Sequence, residues 1–191
     1  SPTLSLGNNV FMSGPISLYS FNRVEGHSLN FGINAIQQFD KRSNLKFDVS
    51  YGFNDEKLKG EFAGNYFLGD YRTTNLSLRA FSKLTDLFSE SIRYNELTST
   101  LVNLIGKYDF RDYYYTTGFS AGVWSQVFPV LSLGIGYMNR TDNSAFVNTA
   151  FSFFNKSKTY NAVQPIYETK ISAVTANFQL DFRKFIEDGY F

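Results

Sequence analysis

Cysteine is absent from all 191 residues, which removes disulfides, thiol nucleophiles and thiolate metal sites. The single histidine, His27, leaves no ligand set for a His/Cys zinc site. No acidic segment has the spacing of an EF-hand calcium loop. No cofactor or metal is therefore expected. Charge of one sign is equally scarce: 18 basic and 17 acidic residues give a formal charge of +1, and no block of like charge stands out. Nucleic-acid binding has no electrostatic footprint here. Long apolar runs are missing as well. The stretch 119–138 has no charged residue and is about the length a membrane helix needs, but it contains Pro129 and three glycines. Its Leu131, Leu133, Ile135 and Tyr137 alternate with Ser132, Gly134, Gly136 and Met138. That period of two is a strand pattern, and it predicts a hairpin turning near Phe128-Pro129.

Aromatic residues are plentiful, with 21 Phe and 13 Tyr, and 14 Gly are spread through the alternating segments. Mean hydropathy is −0.23, as expected when every second residue faces water. The clearest alternation lies within 20–53. Leu29, Phe31, Ile33 and Ala35 are interleaved with Ser28, Asn30, Gly32 and Asn34. After a polar turn at Asp40-Lys41-Arg42-Ser43-Asn44, Leu45, Phe47, Val49, Tyr51 and Phe53 alternate with Lys46, Asp48, Ser50 and Gly52. Successive strand side chains point to opposite faces, so each segment has one apolar and one polar side.

The same unit recurs. Leu58, Phe62, Tyr66 and Leu68 oppose Lys59, Glu61 and Asn65; Leu76, Leu78 and Ala80 oppose Asn75, Ser77 and Arg79. Tyr115, Phe119, Ala121 and Val123 form a further apolar side. Val174, Ala176, Phe178, Leu180 and Phe182 oppose Asn177, Gln179, Asp181 and Arg183. The phase before residue 20 is unclear, although Ile16 and Leu18 fit a first strand. Two long connections interrupt the pattern, 83–112 and 139–168. In the first, Leu97, Leu101, Leu104 and Ile105 fall at helical spacing and predict a short amphipathic helix. In the second, 145–153 alternates and is compatible with a strand.

In antiparallel order the turns near Asp40, Gly69 and Phe128 share one side and are short, while both long connections share the other. That parity is the asymmetry of outer-membrane barrels, with short periplasmic turns and long extracellular loops. The expected fold is all-β: an antiparallel transmembrane β-barrel, or part of one, with long extracellular loops of which one carries a helix. Residues 1–191 are read as one barrel segment of a longer protein in the outer membrane of a Gram-negative bacterium. Outer-membrane lipid and other envelope proteins are its expected partners. Lys46, Asp48, Lys59, Glu61, Arg79, Asp181 and Arg183 would form a mixed-charge polar network in the lumen.

No catalytic residue is assigned. Gly118-Phe119-Ser120-Ala121-Gly122 spells a G-x-S-x-G nucleophile elbow, but the motif sits inside an alternating strand, with the only histidine ahead of the serine and no helix pattern after it. Two alternatives remain: a soluble β-sandwich or ligand-binding barrel using the same apolar faces as a core, and a membrane-barrel lipid hydrolase using Ser120 or His27.

The phrase Phe21-Asn22-Arg23-Val24-Glu25-Gly26 resembles the R-Y-N-R-V-E-G signature of a large Gram-negative outer-membrane β-barrel family of unknown function, whose members carry a carboxypeptidase-regulatory-like domain ahead of the barrel. Asn95-Glu96-Leu97, followed later by Tyr113-Tyr114, is similar to that family's loop helix and aromatic re-entry. Gln164-Pro165-Ile166-Tyr167-Glu168 is similar to its proline-containing loop. Phe21 and Ser20 replace the family's tyrosine and arginine. The resemblance implies a non-enzymatic membrane-embedded part of an envelope protein for transport, assembly or anchoring, and further strands beyond Phe191.

Overall fold

A computed structural model describes residues 3–7, 9–36, 41–88 and 95–182. They form one antiparallel sheet of ten strands: β1 (Thr3–Gly7), β2 (Val10–Ser13), β3 (Tyr19–Asn22), β4 (Gly26–Ile36), β5 (Ser43–Gly52), β6 (Lys57–Leu68), β7 (Thr74–Asp86), β8 (Tyr113–Phe128), β9 (Leu131–Ser144) and β10 (Thr169–Leu180). Each strand from β4 onward pairs with its sequence neighbour, and β1 pairs with β2. β4 is long enough to carry both β2 and β3 on one edge, at opposite ends. The 3-10 turn Pro15–Ser17 lies between those two short strands. Ile16 and Leu18, expected in a strand, belong to this interruption, because Pro15 has no N–H to give to a ladder. Among the described residues β1 and β10 are the two edges and do not pair, so the sheet is open.

Register carries the alternation across the sheet. Ala35, Leu45, Gly64, Leu78, Ala121, Tyr137 and Val174 are successive cross-strand partners, and Ile33, Phe47, Phe62, Ala80 and Phe119 form the adjacent row. These rows merge into one apolar face. A one-residue slip at any pair would turn that strand's apolar set to the polar side, so the pattern holds the register. Gly32, Asp48 and Glu61 form a row of the opposite face, with Asn34, Lys46, Ala63, Arg79 and Ser120 beside it.

Connections segregate by length. One end has the tight turns at 69–73 and Pro129-Val130; Asp40, expected in a third turn at this end, lies outside the described residues. The other end has the turns 23–25 and 53–56 and the two long connections. β7 and β9 run several residues beyond their expected ends, to Asp86 and Ser144, which shortens both connections. The stretch 145–153 is irregular and not a strand, because its backbone groups go to other segments instead of a ladder. Asn148 N–H, for example, donates to Arg23 O at 3.1 Å.

The first long connection contains the expected helix, α1 (Glu96–Gly106), started by Asn95, whose side chain accepts the Thr98 N–H at 2.8 Å. β3's Phe21 N–H points away from β4 and donates to Thr100 Oγ1 of α1. The helix thus covers part of a strand edge that would otherwise be open.

The buried apolar side chains among the described residues are Phe21, Val24, Leu104, Tyr113, Ala145 and Val163. All belong to the end with the long connections, and none lies mid-sheet. Val24, Tyr113, Ala145 and Val163 make one cluster, with Leu84, Tyr115 and Val147 packed against it. Four strands stand between β3 and β8, so a flat sheet would hold them roughly 20 Å apart. Contact between Val24 and Tyr113 therefore requires the sheet to curl into a trough, with the long connections drawn over one mouth.

A buried turn as the candidate functional site

The residues Asn22 to Gly26 join β3 to the alternating strand β4. They form the tip of the β3–β4 hairpin, with Asn22 opposite Gly26 and Arg23, Val24 and Glu25 buried at 3%, 0% and 7% exposure. A buried turn must find a partner for every backbone polar group, and this one does. Asn22 Oδ1 accepts the N–H groups of Val24 at 2.9 Å and Glu25 at 2.8 Å, a side-chain-made turn. Arg23 N–H donates to Asp109 Oδ2 at 3.1 Å. The carbonyls of Arg23 and Val24 accept from Asn148 N–H and Nδ2, and that of Glu25 from Asn54 N–H. Gly26 has φ +64°, and a Cβ there would run into the Asn54 side chain, so the position needs glycine on both grounds.

Each side chain of the turn then holds a different segment. Arg23 donates from Nη1 to Asp109 O at 2.8 Å and from Nη2 to Asp112 Oδ1 at 2.7 Å, fixing the chain between α1 and β8. Val24 fills the apolar cluster formed by the start of β8 and the 145–163 segment. Glu25 accepts from Lys59 Nζ at 2.9 Å, and Asn22 Nδ2 donates to its other oxygen. Lys59 also donates to Asp55 Oδ2 at 2.7 Å, the same oxygen that accepts Tyr115 OH at 2.7 Å. The side chains of Lys59, Glu25 and Asp55 are 3%, 9% and 1% exposed, so one ammonium neutralises two carboxylates away from water.

The outer side of the cap is built from α1 and the 145–163 segment. Asp109 accepts from Tyr113 OH at 3.1 Å. Tyr160 OH lies 3.2 Å from Asn103 O and 3.1 Å from Phe151 O, and its one proton is shared between these carbonyls. Burial raises the Tyr160 phenol to about 12, and the nearby Asp109 charge adds to the effect. Lys107, left-handed at φ 55° where glycine is usual, ends α1 and donates from Nζ to Lys156 O at 3.2 Å and Lys158 O at 2.7 Å.

The seven residues expected in one polar network are divided. Lys46 pairs with Asp48 at 2.7 Å; Glu61 pairs with Arg79 at 2.8 Å and Lys83 at 2.7 Å. Lys59 belongs to the buried turn instead. Asp181 follows β10, its N–H donating to Val130 O at 2.9 Å, and Arg183 lies outside the described residues. Ser120 sits in the middle of β8 between Arg79 and Met138, on the polar face. His27 belongs to the row of the apolar face, its Nδ1 2.8 Å from Tyr19 OH. The two are not brought together. Alternation had no signal for Asp55, Asp109, Asp112 or Asn148, which lie in turns and connections. The only hint was that acidic and amide residues gather where strands end.

The arrangement has the character of a structural latch: three segments distant in sequence are clamped by one turn. Its fold and site define a single-sheet antiparallel domain with a loop cap hydrogen-bonded over one end. The chain belongs to the family described as "Family of unknown function (DUF5686) C-terminal domain", whose model matches residues 4–184. No curated protein and no solved structure matches it.

Proposed function

We propose that this domain is part of the wall of an outer-membrane β-barrel in a Gram-negative envelope, the non-enzymatic membrane-embedded portion of a protein for transport, assembly or anchoring. The observation that carries this reading is the apolar face, which none of the described residues covers. Leu58, Leu78, Ile135, Val174 and Phe178 are 71%, 51%, 61%, 71% and 74% exposed on one continuous surface. Each large apolar side chain kept in water forgoes about 1.5–3 kcal/mol of burial. Across such a face the cost is tens of kcal/mol, several times the net stability of a domain. Hydrocarbon removes that cost, whereas a β-sandwich would place a second sheet there. The separation of tight turns and long connections to opposite ends supports the same reading.

Open strand edges have no partners in lipid, so in this reading further strands or a partner complete the barrel. The latch, in that setting, holds the extracellular loops closed over the polar side of the sheet. Membrane fractionation of the full-length protein, followed by gel migration with and without boiling, tests the proposal. Recovery with membranes and a faster-migrating unboiled form are expected. A monomer that remains in detergent-free buffer after ultracentrifugation would overturn it.

A further inference from the structure

The loop helix is packed with its polar side inward. Thr100, Asn103 and Lys107 are 4%, 0% and 4% exposed, while Leu97, Leu101 and Ile105 are 43%, 49% and 50% exposed. Protein groups cover this side, on which Leu104 is also buried at 8% exposure: Thr100 Oγ1 accepts from the β3 edge, and the backbone carbonyls of Asn103 and Leu104 accept from Tyr160 OH and Phe153 N–H. Leu97, Leu101 and Ile105 follow one another at intervals of four and lie on one helix face. Tyr108 and Phe110 extend this surface past the helix end, stacked with ring centres 6.1 Å apart. Lys158 places its ammonium 3.2 Å from the Tyr108 ring centre.

We infer that α1 is an interfacial membrane anchor, its Leu97, Leu101 and Ile105 stripe seated in the lipid of the outer leaflet, with Tyr108 and Lys158 at headgroup level. This rests on the membrane reading above and adds to it an element that does not cross the bilayer. The order of groups identifies the occupant. Aliphatic side chains, then an aromatic ring with a polar tip, then a cation follow the gradient from hydrocarbon to anionic headgroup. The helix also lies against β3, whose Phe21 N–H donates to Thr100 Oγ1 and whose Tyr19 pairs with Leu29 of the apolar face. By clamping α1 through Asp109 and Asp112, the latch ties the cap to the membrane surface.

The absence of cysteine gives a clean test. Single-cysteine variants of the full chain, Leu101→Cys, Leu58→Cys in β6 and Asp70→Cys in the exposed turn, are labelled with an environment-sensitive fluorophore. They are then reconstituted in phosphatidylethanolamine/phosphatidylglycerol vesicles with or without nitroxide-bearing lipid. The expected result is several-fold quenching at positions 101 and 58 and none at 70. Quenching at 58 with a water-exposed, unquenched 101 would overturn the inference and leave the barrel reading standing. A blue-shifted but unquenched label at 101 would overturn it in favour of a protein cover. No quenching at 58 would overturn both.

Discussion

Replacing Lys59 by methionine is the sharpest test of the latch, because the side chain keeps its unbranched shape and most of its length but loses the ammonium. In the native protein the ammonium lies 2.9 Å from Glu25 and 2.7 Å from Asp55. With an effective dielectric of about 20, each contact is worth about 6 kcal/mol of attraction, and the two carboxylates that share the ammonium repel each other. Desolvation of three buried ions offsets most of that attraction, so the intact triad is worth little net. Removing the cation alone is different: two carboxylates stay buried and face each other uncompensated. A loss of about 3–5 kcal/mol is expected. Lys59→Met/Asp55→Asn should recover part of it by removing one charge. Lys46→Met supplies the comparison, since that lysine is 52% exposed and its pair with Asp48 is worth about 0–1 kcal/mol. Denaturant unfolding of the reconstituted protein, followed through Trp124, the one tryptophan in the chain, gives the stabilities. A Lys59→Met loss no larger than that of Lys46→Met would refute the reasoning.

Three further substitutions probe the same region. Gly26→Ala combines a left-handed backbone at φ +64° with a clash against Asn54, and should cost about 2–4 kcal/mol; Asn54→Gly added to it should relieve only the steric share. Arg23→Lys keeps the charge but loses the two-pronged grip on Asp109 O and Asp112, so unfolding assays should register a loss of about 1–3 kcal/mol. An unchanged midpoint would mean the fork is dispensable. Tyr160, with its phenol held near 12 instead of 10, contributes stability that is complete below pH 10 and is lost as pH rises towards 12. Tyr160→Phe should flatten that part of the stability–pH curve, and equal slopes in both proteins would count against a buried neutral phenol.

Much of the sheet was legible because the pleat enforces a period of two. Wherever one face is apolar, as in Leu45, Phe47, Val49 and Tyr51, the strand, its facing and its register follow together. The short first strands were not, since the Pro15–Ser17 interruption breaks the phase and β1 has too few residues to establish one. The helix was found by its spacing, but which side it buries was not. A leucine stripe is the side a packed helix would hide, yet the bond from the β3 edge to Thr100 Oγ1 holds Thr100 inward, and Asn103 and Leu104 are buried beside it.

The amino-acid sequence by itself determined the elements and their two faces, because alternation and helical spacing are local properties of a chain. It also marked the Arg23-Val24-Glu25 phrase, without saying what the phrase does. Only the tertiary structure decided that these residues form a buried turn, that Lys59 leaves the polar face network to neutralise Glu25 and Asp55, and that Asp109 and Asp112 close on Arg23. The physical reason is that a buried charge is specified by the partners that surround it. Those partners come from turns and connections whose positions depend on how the sheet curls, and no periodicity in the chain records that.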